Sequence, residues 1–260
     1  MPHVPIPEPL DPERYRTAAS HYEKGRIPYA PALTHRVAEV VGLGPQHRVL
    51  DLGCGPGPLA RRFAQLAREV VAMDPTPEML SAARTLAGQT PNIRFVAGSS
   101  YDLGPPLGRF HLVVMGRSFH WMDRVDTLKR LEPMIEPAGA VALFQDSAPA
   151  VPANAWRRTW QDICARYEPK NGAHRSDPNW IRHEALLLDS PFARLERFAV
   201  IERRALDVET LVQRTLSMGS TSPSHLGEQK TAAIAADIRS ALADVHEEVV
   251  ETSALVAWRP

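Results

Sequence analysis

Cysteine is nearly absent: Cys54 and Cys164 are the only two in 260 residues. Two cysteines cannot build a disulfide framework or a four-ligand zinc site. The ten histidines are scattered, with no His-x-His or HExxH spacing, so no metal site is expected. Long hydrophobic runs are also lacking. No apolar stretch reaches the roughly 18 residues a bilayer-spanning helix needs, so no membrane partner is expected. An excess of one charge sign is missing as well, because Lys plus Arg and Asp plus Glu are 30 each. That removes the global attraction that draws basic proteins to nucleic acid, so no nucleic-acid partner is expected. The opening Met1-Pro2-His3-Val4-Pro5-Ile6-Pro7 has no basic stretch followed by an apolar one, so it does not read as a secretory signal. A cytoplasmic chain is expected.

What is present is a globular composition, 44% hydrophobic and 23% charged, in a length that one domain can fill. Residues 11–24 begin Asp11-Pro12 and predict a helix, as does Pro31 to Val41, closed by Gly42. From residue 47 short apolar runs alternate with helical periodicity. Strands are predicted at 48–52, 69–74, 93–97, 110–115 and 140–144, with helices at 58–67, 77–87 and 123–131 between them. Repeated units of this kind give a parallel sheet covered by helices on both faces. The later chain predicts helices at 153–168, 178–189, 207–218 and 227–243. Strands at 195–206 and 247–258 should pair antiparallel at one sheet edge. The expectation is a single α/β domain with a Rossmann-like, mostly parallel seven-stranded sheet. Within it, 1–45 would form an N-terminal helical lid, 46–146 a ligand-binding core, 147–190 a helical insertion on the acceptor side, and 191–260 the C-terminal strands and helices.

The most informative stretch is Val49-Leu50-Asp51-Leu52-Gly53-Cys54-Gly55-Pro56-Gly57-Pro58. Glycines after a buried strand permit a tight turn and close backbone approach to a ligand. A P-loop would need a lysine after the glycines, and none follows. The dinucleotide fingerprint starting at Gly53 would need Gly or Ala where Pro58 stands. The acid Asp51 beside the turn would repel a pyrophosphate but suits an ammonium. A second acid, Asp74, closes the next strand, where a carboxylate accepts hydrogen bonds from ribose hydroxyls. Together they describe a ligand with a ribose and a cationic amine but no phosphate, a description that S-adenosylmethionine (SAM) fits.

The segments VLDLGCGPG (49–57), VVAMDPTPEML (70–80), IRFVAGSSYDL (93–103) and LVVMGRSFHWMD (112–123) together resemble the class I SAM-dependent methyltransferases, most closely their small-molecule branch. Residues 22–29 are similar to a segment that precedes the core in many members. The resemblance covers about residues 30–145 and is only architectural beyond 150. It implies that Asp51 and the backbone at Gly53 and Gly55 hold the methionine end of SAM. It further implies that Asp74 takes the ribose, that Pro75 packs on the adenine, and that Ser99 and Ser100 lie at the adenine edge. Arg26 would pair with the SAM carboxylate, and S-adenosylhomocysteine (SAH) would be the product.

The acceptor chemistry is expected in Gly116-Arg117-Ser118-Phe119-His120-Trp121-Met122-Asp123, after the fourth strand, where open α/β folds bind ligands. His120 is the general-base candidate, set against a purely structural role for the ring. Tyr15, Tyr22, Tyr29, Trp156, Trp160 and Trp180 could wall an apolar acceptor site, or be ordinary core. The [DNS]-P-P-[YFW] tetrad of amino-methylating nucleic-acid enzymes is absent. By elimination a small-molecule acceptor in secondary metabolism is expected. The alternatives are a SAM-binding module without transfer activity, or an RNA or protein methyltransferase. The oligomeric state is left open.

Overall fold

The computed structural model describes residues 19–167 and 180–260. Tyr15, most of the predicted helix 11–24 and the start of the predicted helix 178–189 lie outside these residues. The described elements are α1 (Ala19–Gly25), α2 (Pro31–Val40), β1 (Arg48–Leu52), α3 (Pro58–Phe63), β2 (Glu69–Asp74), α4 (Pro77–Ala87) and β3 (Ile93–Ala97). They continue with β4 (Phe110–Gly116), α5 (Arg124–Leu131), β5 (Ile135–Ser147), α6 (Trp156–Tyr167) and α7 (His183–Leu188). The chain ends with β6 (Arg194–Ala205), α8 (Val208–Leu216), α9 (Pro223–Leu226), α10 (Glu228–Ala241) and β7 (Glu247–Trp258).

The seven strands form one sheet in the order β3-β2-β1-β4-β5-β7-β6. β1 to β5 run parallel, and β7 inserts antiparallel between β5 and β6. This is the expected Rossmann-like α/β sheet. From β1 the chain proceeds outward to β2 and β3, then returns to lay β4 on the other side of β1. That reversal makes the carboxyl ends of β1 and β4 the switch point where α/β sheets open a ligand crevice. β1 and β4 are buried almost throughout, as continuous apolar runs in a doubly covered sheet must be. One face packs Leu33, Val37, Leu59 and Phe63, and the other packs Phe119, Leu128, Leu187 and Phe192. A third cluster, with Trp160, Ile163, Leu211, Ile234 and Ile238, unites α6, α8 and α10.

Several element ends shift from expectation, and three differences have a local setting. β5 begins at Ile135 and not at Ala140, because Phe110 pairs with Ile135 across a register shift that the polar, Pro-containing Glu136–Gly139 disguises. α3 ends at Phe63, where Gln65 and Leu66 turn back to i→i−3 bonds, and the Asn92 side-chain amide donates to the carbonyls of Ala64 and Ala67 at 2.7 and 3.0 Å. α9 is a separate short turn between α8 and α10, ended by Gly227 at φ 76°.

Candidate functional site

β1 delivers Asp51 to the crevice, and the chain then turns through three left-handed glycines, Gly53 (φ 70°), Gly55 (φ 55°) and Gly57 (φ 77°). A Cβ at Gly53 would fall 2.5 Å from Ser118 Cβ, whereas nothing lies within 4 Å of one at Gly55. The first glycine therefore admits the loop after β4, and the second leaves an open face. Ser118 ties the two loops together by donating to the Leu52 carbonyl at 2.7 Å.

Pro58 starts α3, and the Ala60 N–H donates to Asp51 Oδ2 at 2.9 Å. Asp74 accepts from the Gly55 N–H at 2.8 Å and from the Thr76 N–H at 2.9 Å, bridging the glycine turn and the start of α4. Thr76 is the N-cap of α4 but makes no side-chain cap bond; the Asp74 carboxylate serves its N–H. Both acids are buried, and among the described residues neither has an ion-pair partner. Burial pushes Asp51 up to about 7, with the neighbouring Asp74 charge adding to it and the Ala60 N–H opposing. Burial also raises Asp74, against the N–H groups of Thr76 and Gly55. Two desolvated carboxylates at adjacent strand ends suit a cationic ligand.

The other expected residues divide. Pro75 follows Asp74 and is half-buried, as the adenine assignment needs. Ser100 is buried, but the Ser99 hydroxyl serves a local capping box, donating to Asp102 at 3.0 Å and accepting from the Tyr101 N–H at 3.3 Å. His120 sits partly exposed on the single turn Phe119–Trp121, its ring centroid 4.8 Å from that of Trp121. Arg26 donates to the Ser217 carbonyl at 3.0 Å and lies 5.2 Å from the Tyr22 ring centroid, while its Nε is buried without a partner. Arg26, Tyr22, Arg61 and Arg117 line a cleft of about 390 Å³ that reaches Pro58 at the start of α3. Trp160 belongs to the helical core, donating to Thr215 at 2.8 Å, so it is structural.

Sequence reasoning missed Arg117. Among the described residues it is the only non-glycine with positive φ, 57°. Its guanidinium binds the Asp146 carboxylate and the Ile27 carbonyl and lies 4.5 Å from the Tyr29 ring centroid. Burial would raise Asp146, but Arg117 and then Arg26 hold it below the usual carboxylate range. The segment 25–29 is thus tied to the ends of β4 and β5. The only signal in the sequence was an arginine directly after Gly116.

A family model described as a methyltransferase domain matches residues 49–139, spanning the glycine turn, both acids and the loop after β4. Residues 49–139 form a methyltransferase domain, and the similar proteins and fold support a class I SAM-dependent methyltransferase. This methyltransferase is 25% identical over 214 residues to an uncharacterized methyltransferase of Mycobacterium tuberculosis, covering 82% of this chain and 80% of that one. It is 32% identical over 113 residues to a malonyl-[acyl-carrier protein] O-methyltransferase of Enterobacter lignolyticus, covering 42% of this chain and 44% of the other. Its fold resembles that of a putative type II methyltransferase from Anaeromyxobacter dehalogenans, with a TM-score of 0.61 at 19% identity, over 90% of this chain and 97% of that one. It also resembles a SAM-dependent methyltransferase from Thiobacillus denitrificans in complex with SAH, with a TM-score of 0.52 at 14% identity, over 97% of this chain and 100% of that one.

Away from the crevice, His47 and His111 stack at 3.7 Å beside Glu136 near the amino end of the sheet. His111 Nε2 lies 2.6 Å from the Val41 carbonyl and its Nδ1 3.2 Å from Glu136 Oε2, and one ligand atom from each of His47, His111 and Glu136 lies within 4.8 Å of the others. No helix among the described residues is long and apolar enough to cross a membrane.

Proposed function

We propose that this methyltransferase uses SAM to methylate a small molecule, with the pocket for SAM at the ends of β1, β2 and β4. The observation that carries the reading is charge matching in two places. Among the described residues Asp51 is a buried carboxylate with no counter-cation, and Arg26 Nε is a buried donor with no acceptor. A zwitterionic amino-acid group supplies both missing partners. When bound, SAM supplies a methyl group already activated by its sulfonium. Asp51, Gly53 and Gly55 would hold the amino end, Asp74 the ribose, Pro75, Ser99 and Ser100 the adenine, and Arg26 the carboxylate. Asp74 already spends both oxygens on backbone N–H groups, so its ribose bonds would use remaining lone pairs.

The chain has little bond chemistry to perform. It must align the acceptor, keep water out and, for an oxygen or nitrogen acceptor, take up a proton. The N-terminal segment serves the second task, since Arg117 and Arg214 bind its carbonyls at Ile27 and Gly25. His120, in the loop after β4, is assigned the third. The small-molecule acceptor rests on elimination and on the O-methyltransferase likeness over 42% of the chain.

Incubation of the full chain with methyl-labelled SAM and a metabolite extract should transfer label to small molecules. His120→Gln should lower that transfer by about 10²–10⁴ with SAH affinity unchanged, the usual size of a general-base contribution. A folded variant that transfers at the wild-type rate would remove His120 as base.

A further inference from the structure

Behind the N-terminal segment, four guanidiniums and two carboxylates share one partly buried cluster. Arg214 makes a two-pronged pair with Glu248, at 2.6 and 2.7 Å, and Arg117 pairs with Asp146. Arg26 and Arg157 belong to the same cluster. Asp146 feels Arg117, Arg26 and Arg214, and Arg157 feels Arg214, Glu248 and Asp146. Among the described residues neither Arg26 nor Arg157 has a carboxylate of its own. Both pairs are satisfied, so two positive charges remain.

The donors tell the same story atom by atom. Arg26 Nε, Arg157 Nη1 and Trp156 Nε1 are all buried without a hydrogen-bond partner among the described residues. Buried donors of this kind are normally satisfied, and a charged one costs most when left alone. Arg157 lies 5.5 and 5.2 Å from the ring centroids of Trp156 and Trp160. Its aromatic neighbours hold it in place without neutralising it. Trp160 gives its own N–H to Thr215, whereas the Trp156 N–H is unused.

One surplus charge is accounted for if Arg26 takes the SAM carboxylate. The other is not. We infer that the methyl acceptor is anionic, and that Arg157 and the Trp156 indole N–H at the start of α6 hold its carboxylate. This rests on the proposed function and names the substrate class of the same site. A guanidinium with an adjacent N–H donor suits a planar carboxylate, and the half-buried Trp156 ring offers apolar surface for the rest of the molecule. The anion serves as the anchor and not as the methylated atom. An oxygen whose charge is shared with a guanidinium is a poorer nucleophile, so methyl transfer falls on a second group of the acceptor.

The test uses the full chain, labelled SAM, and a metabolite extract split by anion exchange into an anionic pool and a flow-through of neutral and cationic compounds. Label should enter the anionic pool. Arg157→Gln should reduce that transfer by about 10- to 100-fold, the loss expected for hydrogen bonds to a charged group, and Arg157→Lys should give an intermediate rate. SAH affinity should stay within about twofold in both variants, because Arg26 is untouched. The melting temperature of Arg157→Gln should not fall, since the variant removes an unpaired charge; a merely structural arginine would lower it. Transfer confined to the flow-through, an unchanged rate in Arg157→Gln, or no transfer to the anionic pool by a protein that binds SAH would each overturn the inference. Failure of the wild type to bind SAH strikes the proposed function itself and takes this inference with it.

Discussion

At the scale of single residues, Asp51 is the most exposed to experiment, because its burial couples proton, ligand and fold. Its carboxyl titrates at about 7 in the folded chain, against about 3.9 in an unfolded one. The folded state therefore binds this proton more tightly. The resulting stabilisation is complete below about pH 4, is lost as pH rises toward 7, and is flat above that. Urea unfolding of wild type and Asp51→Asn across pH 4–8 should show a steeper fall of stability with pH in the wild type than in the variant, which keeps only the contributions of the other shifted acids. A cationic ligand demands the carboxylate form, so SAH should bind about tenfold more weakly at pH 6 than at pH 8, releasing a proton as it binds. An affinity independent of pH, with no proton release in calorimetry, would mean that Asp51 does not face the ligand's charge. Asp51, Gly53, Gly55 and Asp74 were legible in the sequence because strand, turn and acid follow one another locally. Arg117 and Asp146 were not, since 29 residues separate them and only the adjacency of β4 and β5 joins them.

At the scale of elements, the N-terminal segment owes its place to the C-terminal part of the chain. α1 lies against α8, with His21 Nδ1 2.7 Å from Gln213 Oε1 and the Gly25 carbonyl accepting from Arg214 at 3.0 Å. Gly25 permits this contact, since a Cβ there would lie 2.2 Å from the Arg214 nitrogen. The Arg214–Glu248 pair beneath is buried on both sides, 7% and 4% exposed. Glu248→Gln leaves the guanidinium uncompensated and should destabilise the protein by about 3–5 kcal/mol in chemical denaturation. A loss below about 1 kcal/mol would mean that water already screens the pair, as at exposed sites. The sequence announced the helices but not this docking. The periodicity of 207–218 marks an apolar face, and nothing in it says which distant segment lies beside that face.

At the scale of the whole molecule, the sheet order brings the proposed SAM-binding residues to one end and sets the N-terminal segment beside them. The β1/β4 switch point supplies the glycine turn and the Ser118 link, while β5 and β7 carry Asp146 and Glu248 to the clamp on residues 25–27. If this closure seals the pocket, SAH should slow amide exchange across 19–29 as well as at 51–57. Protection confined to the glycine turn would remove the lid role. The parallel core was readable because its strands are short apolar runs between helical periods. The insertion of β7 between β5 and β6 was only half readable: the two late strands do pair antiparallel, but β7 lies inside the sheet and β6 forms the edge. Whether the acids ending β1 and β2 hold SAM is decided by calorimetry with SAH on wild type and Asp74→Ala. The account predicts micromolar or tighter binding by the wild type and a loss of about 1.5–3 kcal/mol in the variant, the range for hydrogen bonds to a charged acceptor. Equal affinities in two folded proteins, or no binding by the wild type, would contradict it.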